Sequence, residues 1–210
     1  MNIVDQMRKT GLVPVVVLQH EKDAVPTAQA LLSGGIDLME ITFRTEAAEN
    51  SIRAVAQQVP GMTVGAGTVL TIAQAERAVA AGAEFIVSPG FDESVVAWCI
   101  EKNIPIIPGC VTPTEIMKAL AMGLTTVKFF PANVYGGLTA MKALAAPFAG
   151  LSFVPTGGVD QENLEAYLSE PFVLAAGGSW VCTKNDIASG HYQKIAELSK
   201  AASQVASARK

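Results

Sequence analysis

Charge is scarce in this sequence, and so are the residues that build metal sites. Only 16% of the 210 residues are charged, the formal net charge is −4, and no run of five basic residues occurs. Such a chain is poorly suited to the phosphate backbone of a nucleic acid, so we expect no nucleic-acid partner. The two histidines and three cysteines show neither C-x-x-C nor H-x-x-x-H spacing, which predicts that no metal is bound.

Long apolar runs are missing as well. No apolar stretch reaches the roughly 18 residues that span a bilayer, and residues 1–5 are not typical of a signal peptide. The three scattered cysteines, Cys99, Cys110 and Cys182, favour buried thiols in a reducing compartment. We therefore expect a cytoplasmic protein without a membrane partner.

The sequence instead contains a repeated unit, an apolar strand followed by a helix. Strands that are apolar throughout and alternate with helices are typical of a parallel sheet that is covered on its outside. The predicted strands are 13–18, 37–43, 62–67, 84–89, 104–109, 125–130, 152–157 and 172–177. The predicted helices are 23–33, 46–58, 72–81, 93–102, 113–122, 138–145, 161–168 and 187–208, after a short amphipathic lead over 3–9.

Eight such units predict an α/β fold, a (β/α)8 TIM barrel with a short N-terminal helix, as a single domain over residues 1–210. An open doubly wound sheet is the alternative, although no G-x-G-x-x-G turn follows the first strand. In a barrel, functional groups lie at the C-terminal ends of the strands and in the loops that follow. The candidate site residues are therefore sought there.

The sixth strand carries a lysine in an apolar setting. Alternation along the strand puts Lys128 on one face with Thr126 and Phe130, and Val127 on the opposite face. If the opposite face packs on helices, Lys128 points into an enclosed interior, where desolvation disfavours the ammonium form. A neutral lysine amine forms Schiff bases with ketones. A lysine whose stem follows apolar surface to solvent is the alternative.

The second strand carries a carboxylate on what would be its interior face. Glu40 shares that face with Leu38 and Thr42. A carboxyl group inside a barrel is a candidate general acid/base, and a purely structural ion pair with Lys128 is the alternative.

Other strand ends offer groups that bind anions. The guanidinium of Arg44 suits a carboxylate or a phosphate, and Thr68 offers a hydroxyl at the end of the third strand. Gly-Gly pairs at 157–158 and 177–178 mark the loops that bind phosphate in many barrels. Left-handed turns without a ligand would explain the same glycines.

Together these motifs resemble a known family, the 2-keto-3-deoxy-6-phosphogluconate (KDPG) and 4-hydroxy-2-oxoglutarate (KHG) aldolases. These are small class I aldolases with a (β/α)8 fold. The matching segments follow one another in order between about residue 13 and residue 195. They are MEITFRT at 39–45, GAGTVL at 65–70, VSPG at 87–90, PIIPG at 105–109, VKFFPA at 127–132, PTGGV at 155–159 and GGSW at 177–180.

The resemblance implies reversible cleavage of KDPG to pyruvate and glyceraldehyde 3-phosphate, of KHG to pyruvate and glyoxylate, or of both. Its partners would be small 2-keto acids and aldehydes, and no cofactor would be needed. Lys128 would form the Schiff base, and Glu40 would act as general acid/base through a water. The family also implies a homotrimer.

The resemblance assigns the substrate-binding residues too. Arg44 and Thr68 would hold the pyruvyl carboxylate, and Pro89 and Phe130 would wall the pyruvyl pocket. The distal hydroxyl and phosphate end would be formed by Thr156, Gly157, Gly158, Gly178 and Ser179.

Two segments depart from the common family pattern. Asn-Val-Tyr at 133–135 stands where the family often has Glu-Ala, and Gln19-His20 fills a position where some relatives carry arginine. Both border the predicted pocket, so the aldehyde preference stays open. Two other functions also stay open: a phosphate-binding barrel isomerase or epimerase that forms no imine, and a non-catalytic module that binds phosphorylated metabolites.

Overall fold

The strands of the computed structural model, which describes residues 2–209, are all parallel to their neighbours. They are β1 (Leu12–Val16), β2 (Leu38–Thr42), β3 (Thr63–Gly67), β4 (Ile86–Val87), β5 (Ile106–Ile107), β6 (Thr126–Phe129), β7 (Ser152–Pro155) and β8 (Ala176–Gly178). Each overlaps a predicted strand. The observed strands are mostly shorter, because apolar runs continue past the paired residues; Phe85, for example, is fully buried just before β4.

The strands close into a barrel. Ladders join β5–β4–β3–β2–β1–β8 in that order, and β6 pairs with β7. Isolated bridges close the two remaining seams, Gly109 with Lys128 between β5 and β6, and Phe153 with Val173 and Thr156 with Gly177 between β7 and β8. At the first seam the Lys128 N–H donates to the Pro108 carbonyl at 2.8 Å. The (β/α)8 prediction is therefore confirmed, and the open sheet is excluded.

Helices surround this barrel. They are α1 (Ile3–Thr10), α2 (Ala24–Ser33), α3 (Ala48–Gln58), α4 (Ile72–Ala80), α5 (Glu93–Glu101), α6 (Pro113–Ala121), α7 (Gly137–Ala145), α8 (Leu164–Leu168), α9 (Lys184–Ala188) and α10 (Tyr192–Ser207). The side chains of Thr71, Asp92 and Thr112 accept a backbone N–H at the starts of α4, α5 and α6. Each such cap contributes about 1 kcal/mol.

Two helix predictions need correction. The predicted helix 187–208 is two helices, α9 and α10, because the chain turns at Gly190, where φ is +69°. Periodicity alone did not reveal this break. The helix predicted from residue 161 begins at Leu164. Asp160 accepts the N–H groups of Glu162 and Asn163 and so caps a turn that precedes α8.

The N-terminal half of the barrel interior is apolar. Met7 of α1 packs there in one cluster with Val13, Leu38, Phe85, Val87, Ile107, Val154, Leu174 and Ala175. Burial of one such large side chain contributes roughly 1.5–3 kcal/mol. α1 therefore closes this end of the barrel, and the polar interior residues lie toward the other end.

Among residues 2–209, no helix combines the length and the apolar character that a membrane crossing requires. The prediction that residues 1–210 form one domain stays a prediction, and Met1 and Lys210 lie outside the described residues.

Candidate active site

A buried ion pair lies inside the barrel. Lys128 Nζ is 3.4 Å from Glu40 Oε1, and each side chain is only 3% exposed. The alternation prediction is confirmed, since Val127 and Phe129 pack in the outer core while Lys128 points inward. A lysine that reaches solvent is thereby excluded. Removal of one partner from a buried pair costs about 3–5 kcal/mol, so the two groups depend on each other.

Two glycines of β3 make room for this interior. Glu40 lies beside Gly65 in the β2–β3 ladder, and Thr42 lies beside Gly67. A Cβ atom at Gly67 would overlap the Glu40 carboxylate, and one at Gly65 would overlap the Phe85 ring. Gly65 and Gly67 therefore have a steric role within the strand.

Arg44 and Thr68 meet at the ends of β2 and β3. Arg44 Nε donates to Thr68 Oγ1 at 3.1 Å, and Arg44 is otherwise exposed toward solvent. Thr68 has a φ of +55°, a left-handed conformation that is costly for a β-branched residue. Strain of this kind persists where the surrounding structure holds it, and it clusters at functional sites.

A cavity of about 330 Å³ opens at the C-terminal end of the barrel. Six of the predicted site residues besides Arg44 line it, namely Phe130, Thr156, Gly157, Gly158, Gly178 and Ser179. The Phe130 ring centre also lies 5.4 Å from Lys128 Nζ. Phe130 therefore contacts both the cavity and the buried ion pair.

The two Gly-Gly segments differ in conformation. Gly157 and Gly158 have φ values of +91° and +78°, so their backbone is left-handed, as a tight turn requires. Gly177 and Gly178 are instead extended, and a Cβ atom at Gly178 would overlap the Trp180 ring. The alternative of two left-handed turns is thus wrong for the second pair.

Comparison with known proteins identifies the family of this chain. The model of the KDPG and KHG aldolase family matches residues 3–198. The chain belongs to the KDPG/KHG aldolase family. It is accordingly a class I aldolase, a lyase.

Individual relatives agree with this family assignment. A 2-dehydro-3-deoxy-phosphogluconate aldolase of Treponema pallidum is 47% identical over 97% of both chains. The KHG/KDPG aldolase of Escherichia coli K12 is 43% identical over 91% of this chain and 90% of its own length. The crystal structure of KDPG aldolase from Legionella pneumophila, with pyruvate captured at low pH as a covalent carbinolamine intermediate, is 37% identical with a TM-score of 0.93. The superposition covers 96% of this chain and 98% of the Legionella chain.

Not every predicted residue of this aldolase lines the cavity. Glu40 and Lys128 are buried beside it, and Thr68 reaches it only through Arg44. Pro89 is half-buried and does not line the cavity, and its carbonyl lies where a Cβ of Gly109 would be. The role of Pro89 as a pocket wall therefore stays a prediction.

Sequence reasoning missed several residues that line the cavity. They are Val15, Val17, Val159, Cys182, Thr183 and Lys184. Alternation along β1 would have found the two valines. Lys184 lies in the segment after β8, a common phosphate-binding position, but the helix was predicted to begin later, at 187.

The chemistry of this lining is that of anion binding. Burial, together with the nearby Asp186 carboxylate, raises the pKa of the Cys182 thiol to about 12, so this side chain is not a nucleophile at neutral pH. In residues 2–209, no group of three His, Cys, Asp or Glu side chains is arranged to hold a metal. The charged side chains that line the cavity are Arg44 and Lys184, both cations.

Proposed function

We propose that this aldolase cleaves KDPG to pyruvate and glyceraldehyde 3-phosphate, and KHG to pyruvate and glyoxylate, through a Schiff base on Lys128. One observation carries the proposal: Lys128 and Glu40 form a buried pair, 3.4 Å apart, next to a cavity at the C-terminal end of the barrel. A nucleophilic amine and a proton acceptor are thus present together.

The first chemical step is imine formation. The Lys128 ammonium gives up a proton to become a nucleophile, and the Glu40 carboxylate is the neighbouring acceptor. The neutral amine attacks the C2 ketone and forms a carbinolamine. Glu40 returns the proton to the hydroxyl group of this intermediate, and the loss of water gives a protonated imine, which is an electron sink.

Carbon–carbon cleavage follows from that electron sink. Glu40 accepts the proton of the C4 hydroxyl through a water, and the C3–C4 bond breaks into an aldehyde and an enamine. The enamine is protonated at C3, and hydrolysis of the resulting imine returns Lys128 and releases pyruvate. In reverse, the enamine adds to the aldehyde.

The two ends of the substrate bind different parts of the site. The pyruvyl carboxylate binds Arg44, whose guanidinium is held by Thr68, and Phe130 and Pro89 wall the pyruvyl group. The hydroxyl and phosphate end binds the opposite segments, formed by Thr156, Gly157, Gly158, Gly178 and Ser179. Backbone N–H groups at glycine-rich loops are suited to phosphate oxygens.

Borohydride reduction in the presence of pyruvate tests the proposal. We expect peptide mapping to find a stable pyruvyl adduct on Lys128. Lys128→Arg should keep the charge beside Glu40 and form no adduct, since arginine stays protonated. Glu40→Gln should be trapped more slowly, because the acceptor of the Lys128 proton is lost, and should lose about 10²- to 10⁴-fold in kcat.

The same experiment has an outcome that contradicts the proposal. If folded protein binds pyruvate without an adduct, or if the adduct lies on another lysine, the Lys128 assignment is wrong. An isomerase or a binding module would bind pyruvate without forming an adduct. A coupled assay of pyruvate release from KDPG and from KHG then ranks the two substrates.

We also propose that the protein is a cytoplasmic homotrimer. Cys99, Cys110 and Cys182 are buried and unpaired, as suits a reducing compartment. Exposed apolar side chains such as Met117 and Val134 are available for self-association.

A further inference from the structure

We propose that Lys184 is a specificity residue that binds the phosphate of a phosphorylated substrate. This inference rests on the proposed function, because it concerns the distal end of the same site. Lys184 lines the cavity together with Gly158 and Ser179, the segments to which the phosphate end is assigned. It is exposed at the start of α9, so its ammonium can meet an incoming ligand.

The position of Lys184 is fixed by its neighbours in the chain. The Thr183 hydroxyl donates to Asp186 Oδ2 at 2.6 Å, and the Asp186 N–H donates back to Thr183 Oγ1 at 3.2 Å. This reciprocal cap holds the backbone on both sides of Lys184. The ammonium is therefore carried by an anchored segment, which lowers the entropy cost of its contact with a ligand.

The charge of Lys184 is not already used. Asp186, the carboxylate two residues away, is bound by Lys194 Nζ at 2.8 Å. Within residues 2–209, no carboxylate lies within 4.0 Å of the Lys184 ammonium. A cation without a partner at a cavity is free to pair with an anionic ligand.

The remaining lining favours a ligand with two anionic ends. None of the lining side chains is a carboxylate, and Arg44 supplies the second cation. Asn133, an uncharged side chain, packs against Gly158. With Arg44 assigned to the pyruvyl carboxylate, Lys184 is left for the other end, where a phosphate carries about −1.5 to −2 charges at pH 7.

The test compares KDPG with 2-keto-3-deoxygluconate, the same molecule without its phosphate. Lys184→Met should lower kcat/KM for KDPG about tenfold, mainly through KM, the loss expected for one exposed charge-assisted contact. The value for the unphosphorylated acid should change less than about twofold, since a contact is lost only where the phosphate is present. Lys184→Arg, which keeps the charge, should recover most of the loss on KDPG.

Inorganic phosphate gives a second readout that needs no phosphorylated substrate. As an inhibitor of KHG cleavage it should bind Lys184→Met about tenfold more weakly than the wild type. Lys200→Met is the matched control, because Lys200 is an exposed lysine of α10 that does not line the cavity. That variant carries the same change in net charge and should behave as the wild type.

Two results would overturn the inference. One is an unchanged kcat/KM for KDPG in Lys184→Met, and the other is an equal loss on both sugar acids. Borohydride trapping of pyruvate on Lys128 separates this failure from failure of the proposed function, because trapping does not involve the phosphate end. If Lys184→Met forms the adduct and keeps the wild-type preference for the phosphorylated acid, the role of Lys184 is refuted and the proposed function stands.

Discussion

At Gly67 the candidate active site depends on the absence of a side chain. Any Cβ atom there would overlap the carboxylate, the Cδ atom and the Cγ atom of Glu40. The same carboxylate oxygen, Oε1, lies 3.4 Å from Lys128 Nζ, so a shift of Glu40 away from Gly67 would also change the ion pair. A single methyl group on β3 would therefore move the proposed acid/base without touching substrate.

We expect Gly67→Ala to lower kcat by about 10²-fold, the effect of a displacement of about 1 Å at a reacting group. Overpacking should also lower the free energy of unfolding by roughly 1–3 kcal/mol. Steady-state kinetics and urea unfolding measure the two effects. Gly90→Ala is the control, because a Cβ there meets no atom within 4 Å. Wild-type kcat in folded Gly67→Ala would contradict this role of Glu40.

Single residues also show where prediction from sequence ends. Alternation along β2 and β6 correctly placed Glu40 and Lys128 on interior faces, because the two-residue period of a strand is a local property. The reason for Gly67 is not local, since the atom it avoids belongs to the neighbouring strand. Lys184 was missed for a similar reason. It lies in α9, after β8, and the cavity that it lines is formed with residues from other strands.

At the scale of elements, the junction of α9 and α10 carries one buried carboxylate. Asp186 is 5% exposed and is bound by Lys194, Thr183 and His191. Hydrogen bonds from Lys194 and Thr183 lower the pKa of Asp186 from 3.8 to about 2, against the opposing effect of desolvation. Because the folded pKa is lowered, this group stabilises the fold above about pH 4, and that contribution is lost as the pH falls towards 2.

Asp186→Asn should therefore lower the free energy of unfolding at pH 7 by about 1–2 kcal/mol, a value reduced because Lys194 is largely exposed. The difference from wild type should shrink by roughly half at pH 3. Urea unfolding at the two pH values measures both numbers. Glu101→Gln, which breaks an exposed pair with Lys102, should cost less than about 0.5 kcal/mol. An Asp186→Asn effect that does not change with pH would show that charge is not the cause.

At the scale of the whole molecule, the barrel could be predicted because each of its eight units repeats the same pattern. Strands buried on both faces and helices with capped starts specify parallel pairing before any long-range contact is known. The closure seams could not be predicted. They rest on isolated bridges at Lys128, Phe153 and Thr156, whose partners lie about 20 residues away along the chain.

The outer surface of the barrel carries large apolar side chains that a solitary chain would leave in water. Leu70, Ile100, Met117, Val134 and Tyr135 are between 40% and 72% exposed. They lie in the segments that follow β3, β4, β5 and β6, which are consecutive sectors of the barrel. Their occurrence in consecutive sectors makes this side of the barrel a candidate interaction site.

We expect light scattering after size exclusion to give three times the 21.9 kDa chain mass. Met117→Glu, which puts a charge at a 61% exposed apolar position, should shift the protein towards monomer at micromolar concentration. Gln204→Glu, an equal charge change at an exposed position of α10, should leave the mass unchanged. A monomeric wild type would contradict the trimer, and a trimeric Met117→Glu would move its interface elsewhere. Because the proposed catalytic pair, Lys128 and Glu40, lies inside one barrel, a monomeric variant should still form the pyruvyl adduct.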